Sequence, residues 1–334
     1  MGAKHAIEFH AMNSAKNVLV LADPSSPQLA MLEALPDTTV VVGKSVEAFS
    51  ERARDAEIIL NWSATLSTFR ELFRQCPALQ WVHTQSAGLE RSLCPELIDS
   101  SVILTNGTGV FSPALGEFTL AAILYFAKDF RRMIRNQEAG VWEPFTIDAI
   151  EGLTLGVVGY GDIGRAIASR AYSMGMKLLA VKRHVNNTTQ PDPFAEKVYR
   201  SEHLTEMLSR CDYVVVATPL TPQTRGLIGK AELAAFKPDA VLINVGRGPV
   251  IDEKELVHAL AEGRIKGAAL DVFDQEPLPA GHPFYKLENV LLSPHCADNT
   301  SDWLDRAMRF FIVQLDRFRK GEPLANVVDK KLGY

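Results

Sequence analysis

Four short stretches of this chain carry residues that could do chemistry together. The run Leu155-Gly156-Val157-Val158-Gly159-Tyr160-Gly161-Asp162-Ile163-Gly164 contains GxGxxG between an apolar strand-like run and a helix-like segment from Arg165 to Met174. In that context Gly159 allows a tight turn, Gly161 lets a pyrophosphate approach the backbone, and Gly164 lets helix and strand pack closely. The helix start, around Asp162 and Ile163, offers free N–H groups and a positive dipole to phosphates. A glycine-rich turn without a ligand is the alternative. The other stretches are Asn244-Val245-Gly246-Arg247-Gly248, Asp271 to Pro277 with Glu276, and Ser293-Pro294-His295. Each follows an apolar run, so an Arg, a Glu and a His lie at the strand edge where ligands bind in open α/β sheets. One such residue would be an ordinary surface charge or core histidine. Three beside a dinucleotide turn form a candidate active site.

About 20 residues after the glycines, an NAD site would carry a carboxylate for the adenosine ribose. The chain reads Ala180-Val181-Lys182-Arg183-His184 there. Arg183 can face a 2′-phosphate with its forked guanidinium, and Lys182 adds charge. NADP is therefore the favoured cofactor. A solvated Arg183 would leave NAD open.

These residues need strands to hold them. Apolar runs predict strands at Val18–Leu21, Thr39–Val42, Ile58–Trp62, Gln80–His83 and Val102–Thr105. A second set falls at Leu155–Val158, Lys177–Val181, Lys197–Tyr199, Tyr213–Ala217, Val241–Val245, Gly267–Asp271 and Val290–Ser293. Helical patterns between them argue two doubly wound parallel-sheet α/β domains. One long helix is expected over 112–139, with Ser112 as N-cap and Pro113 at its first turn. Its apolar stripe would run Leu115, Phe118, Ala122, Phe126, Phe130 and Met133. A last amphipathic helix, from Ser301 to about Arg319, is expected to pack back on the first domain. The expected domains are 1–106 with 300–334, and 107–299.

The 334 residues are 47 % apolar and 22 % charged, which excludes a disordered chain, a collagen-like fibre and a disulfide scaffold. With 35 basic and 40 acidic residues the formal net charge is −5, with no basic stripe for nucleic acid. Cys76, Cys94, Cys211 and Cys296 have no metal-ligand or CxxC spacing, which suits reduced thiols in the cytoplasm. No metal, export signal or membrane span is expected. Met1-Gly2 opens like a lipidation signal, but Ala6 stands where Ser or Thr is required.

Taken in order, these motifs resemble the D-isomer-specific 2-hydroxyacid dehydrogenases over nearly the whole chain. Ser86-Ala87-Gly88, Gly116-Glu117 and Thr218-Pro219-Leu220-Thr221-Pro222-Gln223-Thr224 add to the resemblance. It implies a flavodoxin-like substrate domain, a Rossmann domain and an active site in the cleft between them. By resemblance, Arg247 grips the substrate carboxylate and keto oxygen, His295 is the acid/base, and Glu276 orients and charges His295. The backbone N–H groups of Ala87 and Gly88 would hold the carboxylate, and Asp271 would contact the nicotinamide. Thr218, Pro219, Thr224, Val245 and Gly246 would line the cofactor.

The chemistry is consistent: hydride reaches the carbonyl carbon, an imidazolium protonates the oxygen, and a neighbouring carboxylate favours that charged form. Leu89-Glu90 and Thr218 depart from the family's commoner Val-Asp and His. Trp62, after a first-domain strand, resembles the glyoxylate/hydroxypyruvate reductase branch and is a candidate substrate contact; a core Trp is the alternative. A homodimer through the long helix and the arm around Val141-Trp142 is also implied. Rival readings are the phosphoglycerate and formate dehydrogenase branches, and a dinucleotide-sensing scaffold like the C-terminal-binding corepressors.

Overall fold

The computed structural model describes residues 16–183 and 192–334, so Met1-Gly2 and His184 lie outside the described residues. The chain forms two compact units, Met1–Val110 with Ser301–Tyr334, and Phe111–Thr300.

In the first unit β1 (Lys16–Leu21), β2 (Thr38–Gly43), β3 (Ile58–Asn61), β4 (Trp81–Thr84) and β5 (Ile103–Thr105) form one parallel sheet in the order β2-β1-β3-β4-β5. That is the flavodoxin-like order. The central strands are β-branched and apolar because helices or turns cover both faces. Helices α1 (Leu66–Phe73) and α2 (Pro95–Ile98) fill two gaps, while Pro27–Leu32 and Val46–Phe49 make only short 3-10 turns. The chain's last helix, Trp303–Arg319, belongs to this unit. Its Phe311 and Phe318 stack on Trp81 of β4, both with ring centroids 5.4 Å away.

The second unit opens with α3 (Ser112–Ala127) and α4 (Phe130–Glu138), where the sequence suggests one helix. The break is Asp129, whose φ of 49° is left-handed and whose carboxylate accepts a hydrogen bond from Arg132 N at 3.2 Å, capping α4. The expected apolar stripe therefore ends with α3: Phe130 and Met133 are exposed. Ser112 does not act as the N-cap either. Phe111 holds that position, and the Ser112 hydroxyl donates to the Asp162 carboxylate.

Next come β6 (Thr154–Val158), α5 (Asp162–Ser173), β7 (Lys177–Val181), β8 (Lys197–Tyr199), α6 (Leu204–Leu208), β9 (Tyr213–Val216), α7 (Lys230–Ala234), β10 (Val241–Asn244), α8 (Glu253–Ala261), β11 (Gly267–Leu270) and β12 (Val290–Leu292). The last helix is then α9. The sheet is parallel throughout, in the order β12-β11-β10-β9-β6-β7-β8. Counted from β6, this is the Rossmann order 3-2-1-4-5-6 with one strand added. The order reverses between β6 and β9, which opens a crevice at their carboxyl ends. Among the described residues no helix is long and apolar enough to cross a membrane.

Candidate active site

The glycine-rich turn lies at that reversal. Gly159 has φ 97°, and a Cβ there would lie 2.8 Å from the backbone of Ala217 and Thr218 at the end of β9. Only glycine allows both this backbone and this approach. A Cβ on Gly164 would meet Gly159 O at 2.2 Å, so α5 sits directly on the turn. Over Gly161 nothing lies within 4 Å. A pinned turn, a helix N-terminus and open space above the middle glycine fit a dinucleotide pyrophosphate. Ile163 is half-buried, and the Asp162 side chain is occupied by Ser112.

On the neighbouring strand, Lys182 N continues the ladder to Tyr199 O while its side chain is exposed. Arg183 is half-buried, and its Nη2 lies 3.4 Å from Thr221 Oγ1. The loop after β9 closes on itself: Thr224 Oγ1 donates to Pro219 O at 2.6 Å and accepts from Thr221 N at 2.7 Å. Thr218 and Pro219 therefore sit on a braced loop beside the glycine turn.

The turns that carry Arg247 and His295 are each held by a polar side chain at or just past a strand end. Asn244, the last residue of β10, donates to Arg247 O at 3.1 Å and accepts from Gly246 N at 3.1 Å. That folds the Val245-Gly246-Arg247 turn, and Val245 N reaches Val216 O. Arg247 Nη1 donates to Gly246 O at 2.8 Å. The next residue, Gly248, lies flat on the following loop; a Cβ there would be 2.0 Å from the Phe273 carbonyl carbon. The Arg247 turn and the Glu276 loop are thus in direct backbone contact.

Glu276 uses both oxygens. Oε1 accepts from Phe273 N at 3.0 Å, and Oε2 lies 2.7 Å from His295 Nδ1. The first bond fixes the carboxylate and the second fixes the imidazole, leaving His295 Nε2 for a substrate. Asp271, just past β11, organises the histidine turn. Its Oδ1 accepts from Ser293 Oγ at 2.5 Å, Cys296 N at 2.9 Å and Ala297 N at 3.0 Å, and its backbone oxygen accepts from His295 N at 2.9 Å. His295 is held at φ 52°, a strained conformation for a non-glycine residue.

One further residue joins this set. Burial pushes the Asp298 carboxyl above its ordinary range and the Asp271 carboxylate adds to the effect, opposed by His295 and Arg247. Its only sequence signal is a carboxylate three residues after His295. Asn244 and the bracing role of Asp271 were equally hidden, because one polar residue at a strand end looks like any other. In the first unit Ala87 and Gly88 are half-buried just past β4. Trp62 follows β3 and is 4 % exposed. Among the described residues no group of three or more His, Cys, Asp or Glu side chains could hold a metal.

Residues 120–297 match the D-isomer specific 2-hydroxyacid dehydrogenase, NAD binding domain. The chain is 34 % identical over 319 residues to a glyoxylate reductase of Thermofilum pendens, covering 92 % of each. It is 29 % identical over 314 residues to a D-3-phosphoglycerate dehydrogenase of Methanocaldococcus jannaschii, covering 93 % of this chain but 59 % of that protein. A solved structure of similar fold is the NADPH-dependent glyoxylate/hydroxypyruvate reductase of Sinorhizobium meliloti in complex with NADP and sulfate. Its TM-score is 0.82 at 27 % identity, covering 96 % of this chain and 100 % of that one.

Proposed function

The chain belongs to the D-isomer-specific 2-hydroxyacid dehydrogenases, a family of NAD(P)-dependent oxidoreductases, and from that premise we propose that it reduces a small 2-keto acid such as glyoxylate or hydroxypyruvate with NADPH. The observation that carries the proposal is the His295–Glu276 pair at 2.7 Å, held by Asp271 and in backbone contact with the Arg247 turn.

In this reading Arg247 binds the carboxylate and keto oxygen, and the N–H groups of Ala87 and Gly88 also bind the carboxylate. His295 Nε2 delivers the proton to the oxygen as negative charge builds there. Glu276 keeps Nδ1 engaged, so the proton that moves is the one on Nε2. Gly159, Gly161, Gly164 and the start of α5 would hold the cofactor pyrophosphate. Thr218, Pro219, Thr224, Val245 and Gly246 would flank the cofactor. When bound, the reduced nicotinamide supplies the hydride. The choice of NADPH rests on Arg183 and Lys182, and the S. meliloti enzyme with NADP bound supports it. We assign the substrate role to the first unit, with Trp62 as a candidate contact, and the dinucleotide role to the second. A homodimer and a cytoplasmic location complete the proposal; the four free cysteines suit a reducing compartment.

A panel of 2-keto acids assayed with NADPH and NADH tests this reading. Turnover of glyoxylate or hydroxypyruvate, faster with NADPH, is expected. Failure to oxidise either cofactor with any 2-keto acid would overturn it. The M. jannaschii relative favours a second reading, oxidation of 3-phosphoglycerate, which NAD-linked activity on that substrate alone would establish.

A further inference from the structure

The loop after β4 has its carbonyl oxygens tied down one by one. Ser86 O accepts from Gly107 N at 3.0 Å, Ala87 O from Asn106 Nδ2 at 2.8 Å, and Gly88 O from Ser86 Oγ at 2.7 Å. In a trans peptide the carbonyl and the next residue's N–H point in opposite directions. Fixing Ser86 O therefore aims Ala87 N–H, and fixing Ala87 O aims Gly88 N–H. Among the described residues neither N–H has an acceptor. Two successive outward N–H groups make an anion-binding nest.

Asn106 is itself held. Its Oδ1 accepts from Thr108 N at 3.2 Å. Asn326, from the carboxyl-terminal segment, donates through Nδ2 to Thr108 O at 2.6 Å and Asn106 O at 3.4 Å. Asn326 has φ 56°, which Asn tolerates better than most residues, and its neighbour Val327 bridges to Thr105 of β5.

We propose that Asn106 is a positioning residue for the substrate carboxylate and that Asn326 supports it, so that the chain's last segment sets the geometry of the Ala87–Gly88 nest. The inference rests on the reading of Ala87 and Gly88 as carboxylate ligands. Neither asparagine touches substrate; each acts through the loop. A hydrogen bond to a charged group is worth about 1.5–3 kcal/mol, or roughly 10- to 150-fold in binding. Misdirecting one nest N–H should cost near the lower end of that range.

The test compares the best 2-keto acid of the panel with its methyl ester, which keeps the ketone and loses the charge. Wild type should prefer the acid in kcat/KM by at least ~10-fold. In Asn106→Ala the KM for the acid should rise by about 10-fold with kcat little changed, because uniform binding is lost. The acid-to-ester preference should fall by a similar factor, while NADPH affinity stays within about twofold. Asn326→Gly, which keeps the left-handed backbone easy, should move the same preference less far. A wild-type preference left intact in folded Asn106→Ala overturns the positioning role, as does an unchanged preference in Asn326→Gly if the first variant does not fold. A wild type that does not distinguish acid from ester overturns instead the reading of the loop as a carboxylate site.

Discussion

His295 shows how much of the site is made by residues that do no chemistry. Its Nδ1 is held by Glu276, its backbone by Asp271 O, and the turn around it by three bonds to Asp271 Oδ1. Replacing His295 with Ala should lower kcat for keto-acid reduction by roughly 10²–10⁴-fold, the usual worth of a general acid. NADPH affinity, measured by fluorescence titration, should be nearly unchanged. Full kcat in this variant, with hydride transfer rate-limiting by deuteride isotope effect, would remove His295 from the proton step. Arg183 carries the second expectation at this scale. It lies half-buried beside Thr221, and the stretch Ala180–His184 carries Lys182 and Arg183 where an NAD site would carry a carboxylate. Arg183→Asp should move the kcat/KM preference from NADPH towards NADH, and an unchanged ratio would show that Arg183 does not read the ribose. The Arg, the Glu and the His were visible in the sequence because their types and positions after apolar runs are distinctive. The residues that position them were not: Asn244, which folds the Arg247 turn, and Asp271 as the brace of the His295 turn read as ordinary strand-end turn formers.

At the scale of elements, legibility follows the strength of the apolar signal. Val18–Leu21 and Tyr213–Val216 are unbroken apolar runs, and each is a buried strand of a parallel sheet. The break at Asp129 escaped because it depends on one side-chain cap within an otherwise helical pattern, and local bonding won over the apolar period. The contact of α9 with β4 also gives a buried histidine. His83 Nδ1 lies 2.8 Å from Thr105 Oγ1, which accepts from Trp81 Nε1 at 2.8 Å, and the ring packs against Phe310 and Phe311. Burial pushes the His83 pKa down to about 3. The folded state thus refuses a proton that the unfolded chain takes up near pH 6.5. Stability associated with neutral His83 is fully present above pH 6.5 and falls as pH drops from there towards 3. Between pH 7 and 5 the loss should be about 2 kcal/mol. His83→Asn keeps an acceptor for Thr105 and removes the titration. Urea unfolding of both proteins at the two pH values should show the wild type losing about 2 kcal/mol more than the variant. Parallel losses would mean that His83 does not carry this acid sensitivity.

For the whole molecule the informative surface is on the second unit, away from the strand ends that bear the candidate site. Phe130, Met133 and Ile134 on α4 are exposed, as are Val141 and Ile147 beyond it, and Trp142 is 98 % exposed. Monomeric proteins rarely leave so many large apolar groups together in water, and Trp is enriched among residues that anchor interfaces. Between these groups run Arg131, Arg132 and Arg135, with Arg132 over the Phe145 ring and 3.3 Å from Glu143. The arginines also line a cavity of about 340 Å³ with Lys266 and Asn289, which precede β11 and β12 and so lie at the amino-terminal edge of the sheet. A contact here would leave the edge with the proposed catalytic residues free. A second copy of the chain is the proposed occupant, and sedimentation at micromolar concentration should give twice the chain mass. Ile134→Glu together with Trp142→Glu should give a monomer, because a desolvated carboxylate without a partner is strongly penalised in an apolar contact. Trp62 and Trp81 are buried and Trp303 on α9 is half-buried, so Trp142 should dominate the change in quenching by acrylamide, which should increase as wild type is diluted and dissociates. A wild type that sediments as a monomer at micromolar concentration, with quenching independent of dilution, would refute the dimer. The exposed apolar face of α4 would then need another partner.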